Sequence, residues 1–211
     1  MTDFFILLGV PRRPWIEPDS LRARFLELST PLHPDRFHNA PNVEKQATNE
    51  IFSELNAAYN CLREPRERLR HLLELETGAK PKDVQRIPPG TMDLFMEVGH
   101  LCREVEAFLK EKEKVTSPLL KVQVFQKAMA WTDKLNALQQ KVNAKRAELE
   151  AELKTMNSLW ERAGEHADLP ASPPSQPLAL PLERLEQVYR ILSYVARWTQ
   201  QIQERVVPLS F

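Results

Sequence analysis

Apolar residues recur at steps of three and four through most of this chain, and each run predicts a helix. Residues 3–8 form a short apolar turn closed by Gly9 and Pro11. A second run covers 18–32, with Pro18 where a first helical position tolerates it, since its missing N–H would be unpaired there anyway. Leu21, Phe25, Leu28 and Leu32 share one face of that helix. Residues 44–63 repeat the pattern with Ile51, Leu55, Ala58 and Leu62, flanked by Phe52 and Tyr59. Two amphipathic helices joined by a short polar loop bury their stripes most readily as an antiparallel hairpin. Pro65 interrupts, and "RERLRHLLELETG" continues as a further helix ending near Gly78.

Residues 78–90, "GAKPKDVQRIPPG", read as a hinge and a domain boundary. Beyond it, 91–114 is helical, with Leu94, Val98, Leu101, Val105 and Phe108 facing inward. Ser117-Pro118 opens a long pattern reaching about residue 163, carried by Val124, Ala128, Trp131, Leu135, Leu138, Val142, Leu149, Leu153, Met156 and Trp160. Unbroken, such a helix would be about 65 Å long, so a bend or an overhang beyond its partners is expected. "EHADLPASPPSQPLALP" at 165–181 is a Pro-rich loop, the most disorder-prone stretch. Residues 182–206 close the chain with Leu185, Val188, Leu192, Val195 and Ile202 inward. The fold class is therefore all-α: a helical hairpin, then an antiparallel three-helix bundle or coiled coil over 91–211.

Composition narrows the function. The 211 residues are 42% hydrophobic and 27% charged, with a formal net charge of +0. That suits one or two domains with real cores and gives no reason to expect nucleic acid as a partner. The start, "MTDFFILLGVPRRP", lacks the basic opening and long apolar run of a signal peptide. No stretch is long enough to span a bilayer, and the cysteine usage fits a reducing cytosol, so a cytoplasmic protein is expected. Cys61 and Cys102, the 2 cysteines, lie far apart within helical patterns and read as buried and inert. With only 5 Gly, no Gly-rich phosphate loop is present.

One stretch asks for more than helix packing: "STPLHPDRFHNAP", 29–41, between the two hairpin helices. As a metal site, His33, Asp35 and His38 lack further Cys or His at zinc spacing. As a catalytic pair, His33 and Asp35 lack a nucleophile with a supporting motif. As an ordinary helix stop, Pro34 biases His33 out of the helical region and Asp35 closes the turn. That reading requires neither a His before the Pro nor an Asp after it. A surface read by another protein is the fourth possibility.

The surroundings favour the fourth. "DFFILLGV", "SLRARFLELSTPLHPDRF" and "NEIFSELNAAYNCLREPRERLRHLLEL" together resemble a J-domain, with Asn56, Ala58, Tyr59, Leu62, Pro65, Arg68 and Leu73 at the family's positions. The opening "DFFILLGVP" and the "YNCLREPRERLRHLL" tail are most similar to the HscB type, the J-protein of iron–sulfur cluster assembly. "LFMEVGHLCREVEAFL" and "VYRILSYVARWTQQIQERV" resemble the first and last helices of the HscB C-terminal domain, and 140–180 looks like an added segment. The resemblance implies a J-domain over 1–77, a hinge at 78–90 and a client-binding domain over 91–211. It also implies a non-enzymatic co-chaperone with no cofactor or metal. Its partners would be a chaperone of the DnaK/HscA type, whose ATP hydrolysis it triggers through His33-Pro34-Asp35, and an iron–sulfur scaffold protein as client. A J-protein whose C-terminal coiled coil serves another client or dimerises is the alternative.

Two departures bear on those implied sites. J-domains show a basic outer face on the second helix. Here Arg22 and Arg24 flank the buried stripe, Ala23, Leu26, Glu27 and Thr30 occupy the far side, and Arg36 follows the tripeptide, so the basic patch is thin. Pro31 should also loosen the helix end. On the client side the resemblance implies Phe95, Met96, Gly99, His100, Arg103 and Ala107, with Tyr194 from the last helix. Gly, His, Arg and Ala stand where the HscB type offers Leu and acids. The helical wheel puts Met96, His100, Arg103 and Ala107 opposite the inward stripe. Antiparallel packing of the first and last bundle helices would bring Tyr194 to Phe95 and Met96 in only one register.

Overall fold

The computed structural model describes residues 2–37, 41–81, 87–167 and 180–210. Seven α-helices follow one another among them: α1 (Phe4–Leu8), α2 (Pro18–Ser29), α3 (Asn42–Arg63), α4 (Pro65–Thr77), α5 (Met92–Lys112), α6 (Pro118–Ala167) and α7 (Leu182–Leu209). The chain forms two compact units, Met1–Lys82 with Glu150–Tyr189, and Asp83–Leu149 with Arg190–Phe211. The long helices α6 and α7 each contribute to both. The core of the hinge, 82–86, and most of the Pro-rich loop, 168–179, lie outside the described residues, as does His38.

In the first unit, α1 is a short helix whose N-cap, Asp3, accepts from the N–H groups of Phe5 and Ile6. It ends at Gly9, which takes φ 61° as the left-handed cap that lets the chain turn at once. α2 and α3 form the hairpin, and α4 turns back after Pro65, the first residue of the new helix. Phe5, Leu8, Leu21, Leu55, Ala58, Leu62, Leu69 and Leu72 close the core. Four expected core positions behave differently: Ile51, Phe25, Leu28 and Leu32. Ile51 is 46% exposed, with Thr48 and Leu55 buried on its helix instead. Of the α2 stripe only Leu21 is fully buried. Phe25 is half-buried, its ring stacked on Tyr59 at 4.4 Å.

The same unit encloses polar groups that are bonded across the chain. Arg68 donates from Nε to the Pro14 carbonyl at 2.8 Å and from Nη1 to the Leu62 carbonyl at 2.7 Å. Its guanidinium lies 5.4 Å from the Trp15 ring centroid. Burial pulls its pKa down to about 10, with Glu150 and Glu64 opposing, so it stays charged. Trp15 is clasped by α6: its N–H donates to Asn157 Oδ1 and its carbonyl accepts from Asn157 Nδ2, both at 2.9 Å. Arg13 pairs with Glu161 at 3.0 Å. Arg184 of α7 holds Glu152 of α6 through Nε at 2.6 Å and Nη2 at 2.9 Å.

The second unit is a three-helix bundle of α5 and the adjoining parts of α6 and α7. Val98, Cys102, Val105 and Phe108 are the buried stripe of α5. Cys102 takes a place that periodicity assigns to Leu101, which is half-buried, as is Leu94. Leu135, Leu138 and Val142 face Val195, Trp198 and Ile202 as the other stripes. α6 does not break: it is helical without interruption from Pro118 to Ala167, and the part beyond Leu149 belongs to the first unit. The stretch of α6 in excess of the bundle is the one that clasps Trp15.

Candidate functional site

Residues 29–37 are shaped mostly by local bonds. Thr30 Oγ1 donates back to the Leu26 carbonyl at 2.6 Å, and α2 tightens into a 3-10 turn over Thr30–Leu32. Pro31 lies in that turn, so the α-helix ends at Ser29, short of the expected residue 32. His33 is extended, φ −61° and ψ 131°, as the residue before a proline should be. A second 3-10 turn, Pro34–Phe37, follows. Its first bond runs from the Arg36 N–H to the His33 carbonyl at 2.9 Å.

The His33 ring is tied on one side. The Asp35 N–H donates to Nδ1 at 3.3 Å, and Phe52 of α3 meets the ring edge-on, centroids 5.7 Å apart. Asp35 Oδ2 stands 3.5 Å from the same nitrogen. With Nδ1 accepting, the neutral ring carries its proton on Nε2, the nitrogen left for a partner. The side chains of His33 and Asp35 are 52% and 88% exposed. A buried general base would look different; this is a donor and a carboxylate held out to solvent on a short, stiff turn. Arg22 and Arg36 are exposed as well. Arg24 is committed elsewhere: it donates to the Leu8 carbonyl at 3.0 Å and pairs with Glu27 at 2.7 Å. Among the described residues no cluster of three or more His, Cys, Asp or Glu could hold a metal ion.

The second candidate surface lies on the bundle. Met96 is 58% exposed, Phe95 and Gly99 are half-buried, and His100, Arg103 and Ala107 are exposed. His100 pairs with Glu104 at 3.5 Å. A Cβ at Gly99 would sit 3.4 Å from the Arg103 guanidinium, so glycine leaves that side chain room to lie against the helix. Tyr194 is half-buried beside Trp198, centroids 5.8 Å apart, with Arg197 over its ring.

Register decides whether these residues share a level. Glu97 meets Lys141, Phe108 meets Trp131, and Gln139 meets Thr199, so α6 runs antiparallel to both its neighbours. Arg205 reaches Cys102 and Glu106, and Lys112 reaches Pro208. Hence α5 and α7 run parallel, which corrects the antiparallel packing expected of this pair. An up-down-up bundle requires it. The parallel register places Tyr194 at the level of Leu94 and Phe95.

A hairpin whose turn exposes His33 and Asp35, continued by long bundled helices, defines the class: the fold is that of HscB co-chaperones. It is similar to human HscB, with a TM-score of 0.61 at 19% identity over 99% of this chain and 84% of that one. Chaperone HscB from Vibrio cholerae aligns with a TM-score of 0.50 at 21% identity, covering 96% of each chain. In sequence, 73 residues are 40% identical to the co-chaperone protein HscB homolog of Azoarcus sp. (strain BH72) and 37% identical to that of Aromatoleum aromaticum. These matches span 35% of this chain and 41% of each relative's length. No family model matches the chain.

Proposed function

We propose that this chain is a co-chaperone of the HscB type, which stimulates ATP hydrolysis by a DnaK-type chaperone through His33, Pro34 and Asp35. The observation that carries the reading is the turn itself. It offers an imidazole N–H and a free carboxylate in a geometry fixed before any partner arrives, so little conformational freedom is lost on docking. Charge-assisted hydrogen bonds to both groups would supply the specificity. Arg22 and Arg36 would add steering, and the reading gives the chain no catalytic residue of its own. The test is single-turnover ATP hydrolysis by a purified DnaK- or HscA-type chaperone. His33→Gln should leave the unfolding midpoint unchanged and abolish the stimulation; a folded mutant that stimulates normally would remove the proposal.

The client we propose is an iron–sulfur scaffold protein, bound along Phe95, Met96, Gly99, His100, Arg103 and Tyr194. An exposed methionine beside a half-buried phenylalanine, with a tyrosine at the same level on a parallel helix, favours a docking patch. Residues 1–77 would then serve the chaperone and 91–211 the client, on either side of 78–90. Among the described residues no helix is long and apolar enough to cross a membrane. A cytoplasmic location belongs to the same proposal. Calorimetric titration with a purified scaffold protein checks the client. Met96→Ala and Tyr194→Ala should each weaken binding by about 1 kcal/mol or more. A wild-type chain that binds no scaffold would leave the other readings, another client or self-association.

A further inference from the structure

The opposite end of the bundle carries a face that neither proposed partner uses. Val122, Phe125 and Met129 of α6 are all exposed, Phe125 at 60%. Their spacing of three and four lines them up on one side of the helix, next to the stripe that faces α5 and α7. Leu119, Leu120 and Val207 are exposed near the same end. Beside Phe125 opens a cleft of about 320 Å³, lined by Lys112, Val115, Lys121, Val124 and Leu209. Lone exposed apolar residues are ordinary, but an aligned stripe beside an apolar cleft is not.

Charge identifies the occupant. The chain as a whole balances 29 Lys and Arg against 29 Asp and Glu. From Lys114 to Thr132 it has lysines at 114, 121 and 127 and no acid at all. Lys112 and Lys121 line the cleft, no acid does, and Lys121 is exposed on the flank of the apolar stripe nearest it. A second copy of this face would bring lysine against lysine, which disfavours self-pairing. An α-helix whose apolar stripe is flanked by carboxylates would satisfy both features. Its stripe would cover Val122, Phe125 and Met129, with one side chain entering the cleft and acids meeting Lys121 and Lys112.

We infer that this end of the bundle is a docking surface for an acidic amphipathic helix of a partner protein, separate from the Met96–Tyr194 end. The inference stands whether or not the co-chaperone reading does. The test uses the full chain and a fluorescent synthetic helix with a leucine stripe flanked by glutamates, followed by anisotropy. A twin peptide with lysines for glutamates is the control. The glutamate peptide should bind and the lysine peptide should not. Phe125→Asp, at a side chain already in water, should keep the circular dichroism of the wild type and weaken binding about tenfold or more, as loss of an interface anchor does. Lys121→Glu with Lys112→Glu should reverse the preference between the two peptides, an effect that mere destabilisation cannot produce. Equal binding of both peptides, or of neither, would overturn the inference. Phe125-dependent binding to phosphatidylglycerol vesicles without peptide binding would overturn it in favour of a membrane face. A Phe125-dependent dimer in sedimentation would overturn it in favour of a second copy.

Discussion

The interiors of the two units solve the same problem by different means. In the first unit a charged guanidinium, an imidazole and a side-chain amide are enclosed or half-enclosed, and each is bonded to backbone groups distant in sequence. In the bundle the three facing stripes are mostly aliphatic and aromatic; polar contacts such as Arg205 on the Cys102 carbonyl and Gln139 on Thr199 are half-enclosed, and the Lys141–Glu97 pair lies at the surface. Apolar stripes fix that helices pack but tolerate repacking. A buried guanidinium bonded to two particular carbonyls fixes one arrangement, because any other leaves all three groups unpaired. The unit carrying the His33 turn thus has the more deeply enclosed singular contact, Arg68. A loop that must present two groups in fixed geometry has reason to stand on such a base.

The largest effect should come from breaking that base. Arg68→Ala orphans the carbonyls of Pro14 and Leu62 and removes the cation beneath Trp15. We expect about 4 kcal/mol lost from the first unit, read by urea unfolding. Leu135→Ala, at a fully buried bundle position, should cost about 3 kcal/mol through its cavity. The costs are similar but the specificity differs. Leu135→Met should recover most of the loss, whereas Arg68→Lys should recover little, since one ammonium cannot replace the planar fork. Equal rescue at both positions would erase the contrast.

A smaller effect should depend on pH. His71 accepts the Phe4 N–H through Nε2 at 3.1 Å and stacks on Phe4, so its folded form is neutral. Burial holds its pKa below the ordinary 6.5, with Asp3 and Glu74 opposing. The unfolded chain therefore takes up the proton first. Stability is full above pH 6.5 and falls as the pH drops toward the folded value, by at most about 1.4 kcal/mol per pH unit. Urea midpoints between about pH 7 and 5 should show this slope, and His71→Gln should flatten it. An unchanged slope in the mutant would assign the proton to another group.

The same contrast explains what could be read from the sequence. The helices, the hairpin and the three-helix bundle follow from steps of three and four, because periodicity reports which face is buried. The His33 turn was legible because its bonds are local: Pro34 sets His33, and Asp35 bonds back across one residue. The Trp15–Asn157 clasp was not. A lone Trp in a short loop and a lone Asn on a long helix carry no periodic signal, and only the fold brings them together. Ile51 and Leu101 were misplaced by the same logic, since a small rotation of a helix face exchanges them for Thr48 and Cys102. Val122, Phe125 and Met129 left a trace in the form of more apolar residues than one stripe needs. Periodicity sorts such a surplus into a face without saying what covers it.

The smallest expected effect tests whether the bundle's register rests on its apolar stripes alone. Lys141 of α6 reaches Glu97 of α5 at 2.5 Å, one residue after Met96, and both side chains are about half exposed. A pair so placed is screened and costs side-chain entropy to hold, so Lys141→Ala should lower stability by about 0.5 kcal/mol or less. If the stripes set the register, the substitution should also leave Tyr194 at the level of Phe95. The double substitution Leu94→Cys with Tyr194→Cys should then cross-link under mild oxidation equally well with and without Lys141→Ala. A loss well above about 1 kcal/mol, or a cross-link that fails only when Lys141 is absent, would make this ion pair a register-setting contact. The bundle would then depend on a singular polar bond as the first unit does, and the contrast between the two would have to be redrawn.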